Sequence, residues 1–212
     1  TMAYAYDVLG QLTKVTDPAG YVTTYAYDSM NALTSFTDAL GRTTSYTYDL
    51  EGNLTAIKDA MDRVENMTYD TLGRQTSYTD NSGKKISYDY DKLNGLLEKS
   101  YEDAEGKTMA ESVNYGYDSA GRRVSMADTS GTSTYAYDAL GRITKVTDGS
   151  GKIVSYSYDT SNELESITYP DGTTEDFVYN EDRLVTEFTD RNGITSSYTY
   201  DDKGNATSLT DG

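Results

Sequence analysis

The chain has 212 residues, 36% of them hydrophobic, with a formal net charge of −17, no Cys and no His. That charge argues against nucleic-acid or anionic-membrane partners, whose capture rests on cationic side chains, and the missing Cys and His exclude disulfides, thiolate metal sites and Ser-His or Cys-His catalysis. Hydrophobic content lies below the roughly 45–50% of ordinary globular chains, yet 22 Tyr at regular intervals argue for a folded β protein, since Tyr, Thr, Val and Ile suit a half-buried pleated surface.

The first predicted element is a short strand ending at Tyr6, in which Tyr4 and Tyr6 alternate with small residues and so share one face. Asp7-Val8-Leu9-Gly10 then reads as a turn, and Leu12–Val15 as a return strand. Asp17-Pro18-Ala19-Gly20 reads as a second turn before the next Tyr strand. An Asp-x-x-Gly step with a left-handed last residue is the chemistry of a type I turn closed by a G1 bulge, joining antiparallel strands.

The same succession recurs along the whole chain. Tyr-Asp pairs stand at Tyr6-Asp7, Tyr27-Asp28, Tyr48-Asp49, Tyr69-Asp70, Tyr90-Asp91, Tyr117-Asp118, Tyr137-Asp138, Tyr158-Asp159 and Tyr200-Asp201, with Tyr179-Asn180 as a variant. The steps between them are 21 residues, except 27 from Tyr90 and 20 from Tyr117. Three residues after each Asp come Gly10, Asn31, Gly52, Gly73, Asn94, Gly121, Gly141, Asn162 and Gly204, the types that accept positive φ. The ninth copy, Asn180–Arg183, reads as one residue short at this point, made up before Asp190. A second row of such positions holds Gly20, Gly41, Asp62, Gly83, Gly106, Gly131, Gly151, Gly172 and Gly193.

Each unit is therefore a predicted β-hairpin, and ten units form one array over residues 1–212, with an irregular longer unit over 90–117. Within it, Lys107–Ser112 has a helix-like composition, and the extra length reads as longer strands or a protruding tip. Return strands pose a puzzle: their apolar pairs, such as Leu12 and Val15 or Leu33 and Phe36, are three residues apart, which a regular strand places on opposite faces. No stretch reads as a second layer, so the expected fold is all-β, a series of antiparallel hairpins whose sheet curves to turn the Tyr face inward.

The motif Tyr-Asp-x-x-Gly-Arg-Leu/Ile-Thr-x-x-x-Asp-x-x-Gly, seen in Tyr137–Gly151 and echoed in Tyr69–Arg74 and Tyr117–Arg122, resembles the YD repeat, also called the Rhs repeat. That family includes bacterial polymorphic toxins, the shell components of Tc toxins and the animal teneurins. The resemblance implies hairpins spiralling into a hollow shell, which in bacterial members encloses a C-terminal toxic polypeptide. Ten repeats are fewer than a full shell uses, so it also implies part of a wall and the remainder of a longer parent shell as partner. The Asp-Pro-x-Gly-Leu element that ends the bacterial shell core has no counterpart; the nearest, Asp17-Pro18-Ala19-Gly20-Tyr21, lies in an ordinary repeat.

These readings make the expected function structural and non-catalytic: a scaffold or container for a toxic or adhesive partner, secreted or at a cell surface, with any export signal outside these residues. The alternative is a surface module binding wall glycan or protein through exposed Tyr or Asp rows. No cofactor is expected. Turn capping accounts for the aligned Asp residues, though a calcium ion between neighbouring turns, as near Asp17 and Asp38, is compatible with them. No apolar run is long enough to span a membrane, and open sheet edges leave self-association open.

Overall fold

The computed structural model describes all residues, Thr1–Gly212, as twenty β-strands with no helix. They are β1 (Ala3–Tyr6), β2 (Leu12–Thr16), β3 (Val22–Tyr27), β4 (Leu33–Thr37), β5 (Thr43–Tyr48), β6 (Leu54–Lys58), β7 (Val64–Tyr69), β8 (Gln75–Thr79), β9 (Lys85–Tyr90) and β10 (Leu96–Glu102). A second set follows: β11 (Val113–Tyr117), β12 (Arg123–Asp128), β13 (Gly131–Tyr137), β14 (Ile143–Thr147), β15 (Ile153–Tyr158), β16 (Leu164–Thr168), β17 (Thr174–Tyr179), β18 (Val185–Thr189), β19 (Thr195–Tyr200) and β20 (Ala206–Asp211). The sets form two compact units, Thr1–Ser112 and Val113–Gly212, whose boundary falls inside the irregular repeat.

Within each unit every strand pairs antiparallel with its neighbour in sequence. Two kinds of connection alternate. The turn after each Tyr-Asp pair, here the YD turn, joins a Tyr strand to its return strand with a register shift. The other turn joins the return strand to the next Tyr strand, usually without one.

The register shift resolves the odd spacing of the apolar residues. Ala5 pairs with Lys14 but Tyr6 pairs with Leu12, leaving Thr13 opposite no residue. The bulge lets Leu12 and Val15 both face the side of Tyr4 and Tyr6, because directly paired residues share a face. The same skip recurs at Tyr27↔Leu33 with Tyr25↔Phe36, and at Tyr158↔Leu164 with Tyr156↔Ile167. One face of each unit is thus aromatic and aliphatic. The other carries small residues in rungs such as Ala26–Ser35–Ser45 and Thr68–Ser77–Ser87, with charged residues such as Lys14, Lys145 and Glu187 on other rungs.

This layer has no deep core. No apolar side chain is fully buried, and Ser77 is the only buried residue. Away from the exposed end strands β1 and β20, the apolar and aromatic residues of the Tyr face are half-buried, each covered by its neighbours along the sheet.

Three local expectations need correction. The ninth copy has lost no residue: Arg183 stands three residues after Asn180, takes φ 63° itself, and closes the turn to Asn180 like any glycine. Lys107–Ser112 forms no helix; Thr108 bridges to Glu102 and the Met109 N–H donates to the Tyr101 carbonyl at 2.8 Å. Asp128–Gly131 is not the four-residue turn of the other repeats. Asp128 pairs directly with Gly131 across the two-residue connection Thr129-Ser130, which accounts for the 20-residue step.

Candidate functional site

The repeated Tyr, Asp and Gly positions are the natural place to look for chemistry, and their geometry is the same in copy after copy. At the first YD turn the Asp7 N–H donates to the Gln11 carbonyl at 3.0 Å and the Gly10 N–H to the Asp7 carbonyl at 3.1 Å. Asp7 Oδ1 accepts the N–H groups of Leu9 and Gln11, both at 2.9 Å. The same two carboxylate contacts recur at Asp28, Asp49, Asp70, Asp91, Asp118, Asp138, Asp159 and Asp201. The closing residue is left-handed whether it is Gly52 (φ 87°), Gly73 (φ 76°) or Asn94 (φ 70°).

These bonds hold several carboxyls below the usual carboxylate range. For Asp49 and Asp201 the largest contribution is the side-chain amide of Asn53 and of Asn205 respectively. For Asp118 it is the Arg122 backbone N–H, followed by the Arg122 side chain. Asp that lies outside the YD turns follows the same rule: the Arg42 guanidinium leads at Asp38, and the Arg63 guanidinium at Asp59.

The tyrosines of the Tyr-Asp pairs point their hydroxyls back to the preceding repeat. Tyr27 donates to the Leu12 carbonyl at 3.0 Å, Tyr48 to Leu33 at 3.0 Å, Tyr69 to Leu54 at 2.9 Å and Tyr90 to Gln75 at 2.9 Å. In the second unit Tyr137 donates to Arg123, Tyr158 to Ile143, Tyr179 to Leu164 and Tyr200 to Val185. The acceptor is the first residue of the return strand, just before the bulge. The ladder between return strand and next Tyr strand begins only at Lys14↔Thr24, so the hydroxyl satisfies a carbonyl that lies beyond the ladder. Burial is the main reason the Tyr48, Tyr90 and Tyr179 hydroxyls are raised in pKa. Ring pairs occur inside hairpins, as Tyr25 on Phe36 at 5.5 Å and Phe177 on Phe188 at 5.1 Å.

Some repeats add a clamp that sequence reasoning did not assign. The Arg74 guanidinium pairs with Asp70 of its own turn at 2.7 Å, donates to the Asp91 carbonyl at 2.8 Å and Asn94 Oδ1 at 3.1 Å of the next turn, and lies 4.7 Å from the centre of the Tyr90 ring. Arg142 repeats this with Asp138, Asn162 and Tyr158, and Arg122 with Asp118, Asp138 and Tyr137. The only sequence sign was the Gly-Arg step within the motif. A second substitution sits at Tyr169, which replaces the turn Asp: its hydroxyl donates to Glu175 at 3.0 Å while Arg191 stacks on its ring at 4.1 Å and pairs with Asp171.

No group of three or more acidic side chains is arranged to hold a metal ion. The concave features are open grooves between adjacent turns, such as the one between Asp28 and Glu51. The repeat residues therefore close turns and tie one hairpin to the next, and their polar atoms are occupied in doing so.

A family model described as RHS Repeat matches residues 6–35, 31–60, 69–108, 117–153, 137–174 and 179–212. Among curated proteins no sequence matches. Solved structures of similar fold include the TcdB2-TccC3-Cdc42 crystal structure, with TM-score 0.72 and 14% identity over 99% of this chain. They also include the Tc holotoxin pore of Photorhabdus luminescens, with TM-score 0.62 and 17% identity over 92%, and the TcdB2-TccC3 crystal structure, with TM-score 0.63 and 15% identity over 97%. The chain spans only 12–14% of the length of those chains.

Proposed function

This chain belongs to the RHS repeat family, and on that premise we propose that it is a structural, non-catalytic segment of a repeat-built wall in a larger protein. The observation that carries this reading is the division of labour among the repeated residues. Asp and Gly close turns, Tyr hydroxyls tether successive hairpins, and the clamps that some copies add at Arg74, Arg122 and Arg142 also join one hairpin to the next. A sheet made this way extends by adding hairpins and buries no core of its own, as suits a wall. The fold it shares with Tc toxin structures supports the same reading. In this proposal the wall scaffolds or encloses a toxic or adhesive partner, and the whole protein acts outside the cell or at its surface.

The glycan-binding alternative gains less support, because most Tyr-Asp tyrosines have their hydroxyls engaged on backbone carbonyls. Calcium has no role in the proposal, and equal melting temperatures in excess calcium and in chelator are expected, since a ligand of the native state must stabilise it.

Electron microscopy of the full-length protein, combined with protease digestion, tests the wall. The expected result is a hollow particle in which this segment lines the wall and an enclosed polypeptide resists digestion until the wall is opened. A solid particle, with every part cleaved at the same rate, overturns the proposal.

A further inference from the structure

Two asparagines of the chain are followed by glycine, in Asn94-Gly95 and Asn192-Gly193, and every other Asn precedes a residue with a side chain. Asn-Gly is the step of a polypeptide most open to deamidation. The backbone nitrogen of the glycine gives up its proton and attacks the amide carbon Cγ of the asparagine. The bond from Cγ to the side-chain nitrogen breaks, and ammonia leaves with that proton. Water then opens the resulting succinimide to aspartate or isoaspartate. Glycine has no Cβ to block the attack, so the rate is set by how firmly the fold holds the two reacting groups.

The two turns hold them differently. The Gly95 N–H donates to Asp91 Oδ1 at 2.7 Å, a charge-assisted bond roughly twice as strong as a neutral one, and the carboxylate beside it opposes loss of the proton. Asn94 Oδ1 accepts from Arg74 Nη1 at 3.1 Å. Arg74 is itself fixed on Asp70, on the Asp91 carbonyl and over the Tyr90 ring. Bringing Cγ of Asn94 onto the Gly95 nitrogen therefore breaks two bonds to charged groups. At the other site the Gly193 N–H donates to the neutral Asp190 carbonyl at 2.9 Å. The Asn192 side chain makes one bond, from Nδ2 to Asp190 Oδ2 at 3.3 Å, just beyond the usual range of roughly 2.7–3.2 Å. Asn192 and Gly193 are both exposed.

We propose that Asn192-Gly193 is a site of spontaneous deamidation and that Arg74 and Asp91 guard Asn94-Gly95 against the same reaction. The product has a structural consequence. Isoaspartate routes the main chain through the former side chain and adds a methylene between residues 192 and 193. The Gly193 N–H then no longer meets the Asp190 carbonyl, and the bond from the Asp190 N–H to the Ile194 carbonyl, 2.9 Å long, is lost with it. The hairpin of β18 and β19 ages at this turn, while the Arg74 clamp keeps the hairpin of β9 and β10 intact. The inference rests on the two turns alone and does not depend on the wall.

The whole chain is aged at mildly alkaline pH, where the attacking nitrogen loses its proton more readily. The tryptic peptides Leu93–Lys99 and Asn192–Lys203 are then followed by mass and by enzymatic methylation of isoaspartate, with an unaged digest as the zero. Synthetic peptides of residues 88–99 and 186–197 give the unrestrained rate of each site. Scaled to its free peptide, Asn192 is expected to react at least about tenfold faster than Asn94, because less structure must open. Arg74→Gln is expected to speed Asn94 and leave Asn192 unchanged. Arg142→Gln, which removes the corresponding bond to Asn162 in the other unit, is expected to change neither. Asn192→Gln closes the succinimide route, and after ageing it is expected to keep the hydrogen-exchange protection of β18 and β19 that the aged wild type loses. Equal scaled rates at the two sites overturn the proposal, as does an intact Asn192 after ageing that consumes its free peptide. Arg74→Gln that slows Asn94 or leaves it unchanged overturns the guard, making the guanidinium an activator of the amide or a bystander.

Discussion

The tyrosine of each Tyr-Asp pair does two things from one position: its ring covers the aliphatic start of the return strand, and its hydroxyl reaches the carbonyl of the repeat before. Removing the hydroxyl while keeping the ring separates them. Tyr48→Phe leaves the Leu33 carbonyl without its 3.0 Å donor and is expected to cost about 1 kcal/mol, the net worth of a typical intramolecular hydrogen bond. Tyr6→Phe, made in this chain, is expected to cost nothing measurable, because Tyr6 is exposed and no carbonyl of these residues holds its hydroxyl. Urea unfolding of the two variants checks this, and equal midpoints would show that the hydroxyls are not tethers. The aspartates make a prediction in pH. Asp38, Asp49, Asp59 and Asp118 have folded pKa values below the unfolded value of about 3.9. The unfolded chain therefore takes up protons first as pH falls, so the stability they contribute is complete above about pH 4 and is lost below it. Melting temperature is expected to hold steady from neutral pH to about pH 5 and to fall below about pH 4. A melting temperature unchanged down to about pH 2.5 would mean that these carboxylates do not anchor the turns. The tyrosines have the opposite sign. Tyr48, Tyr90 and Tyr179 are raised by burial, so their contribution is complete below about pH 10 and is lost as pH rises above it.

At the scale of the hairpin, both turn rows were legible in the sequence because a turn needs particular residues at particular places. Asp supplies the Oδ1 acceptor, and Gly or Asn accepts the left-handed φ. Much else had no local signature. The bulge at Thr13 is marked by nothing in Leu12-Thr13-Lys14; only the closure of the turn before it decides which residue is skipped, and with it the face on which Val15 lies. Arg183 hid a left-handed position behind a residue type that rarely takes one, so an intact turn read as a deletion. The clamp made by Arg74 joins partners up to 20 residues apart, which only the pairing of hairpins brings together. The short repeat at Tyr117 shows how tightly the hairpins stack. An added Cβ at Gly131 would meet the Gly149 carbonyl oxygen too closely to fit, with the Gly149 Cα and carbonyl carbon each at 2.9 Å, while one at Gly151 would meet nothing within 4 Å. Both residues have positive φ, so Ala at either position carries the backbone strain of roughly 1 kcal/mol or more, and Gly131→Ala adds a clash with backbone that cannot yield. Thermal unfolding is expected to show Gly131→Ala as the more damaging by at least about 1 kcal/mol, in the range for overpacking. Equal losses would remove the close approach of the two turns from the account.

Across the whole chain, the absence of a buried core decides how the molecule comes apart. An ordinary domain unfolds as one block because its core is shared, and no such core exists here. Strands touch only their sequence neighbours within each unit, so stability is close to a sum of hairpin terms and nearest-neighbour terms, as in other repeat arrays. An end strand has one neighbour and an interior strand two. β1 and β20 are exposed along their whole length, whereas β8 contains the buried Ser77 and lies between two partners. Hydrogen exchange followed by mass spectrometry should then give a gradient. Amides of β1 and β20 are expected to exchange first, at opening free energies near zero, with protection rising over the next two or three hairpins and reaching its highest values in strands such as β8. The tethers sharpen the prediction. Tyr69→Phe removes the bond from β7 to the Leu54 carbonyl, and it should lower protection most in the hairpins on either side of that junction and leave β1 and β20 as they were. Uniform protection in the wild type, with a uniform loss in the variant, would show a single cooperative block and overturn the nearest-neighbour account. A gradient with a local loss would show that each hairpin is held by the next, so that in a longer array of the same repeats the ends are the first places to open.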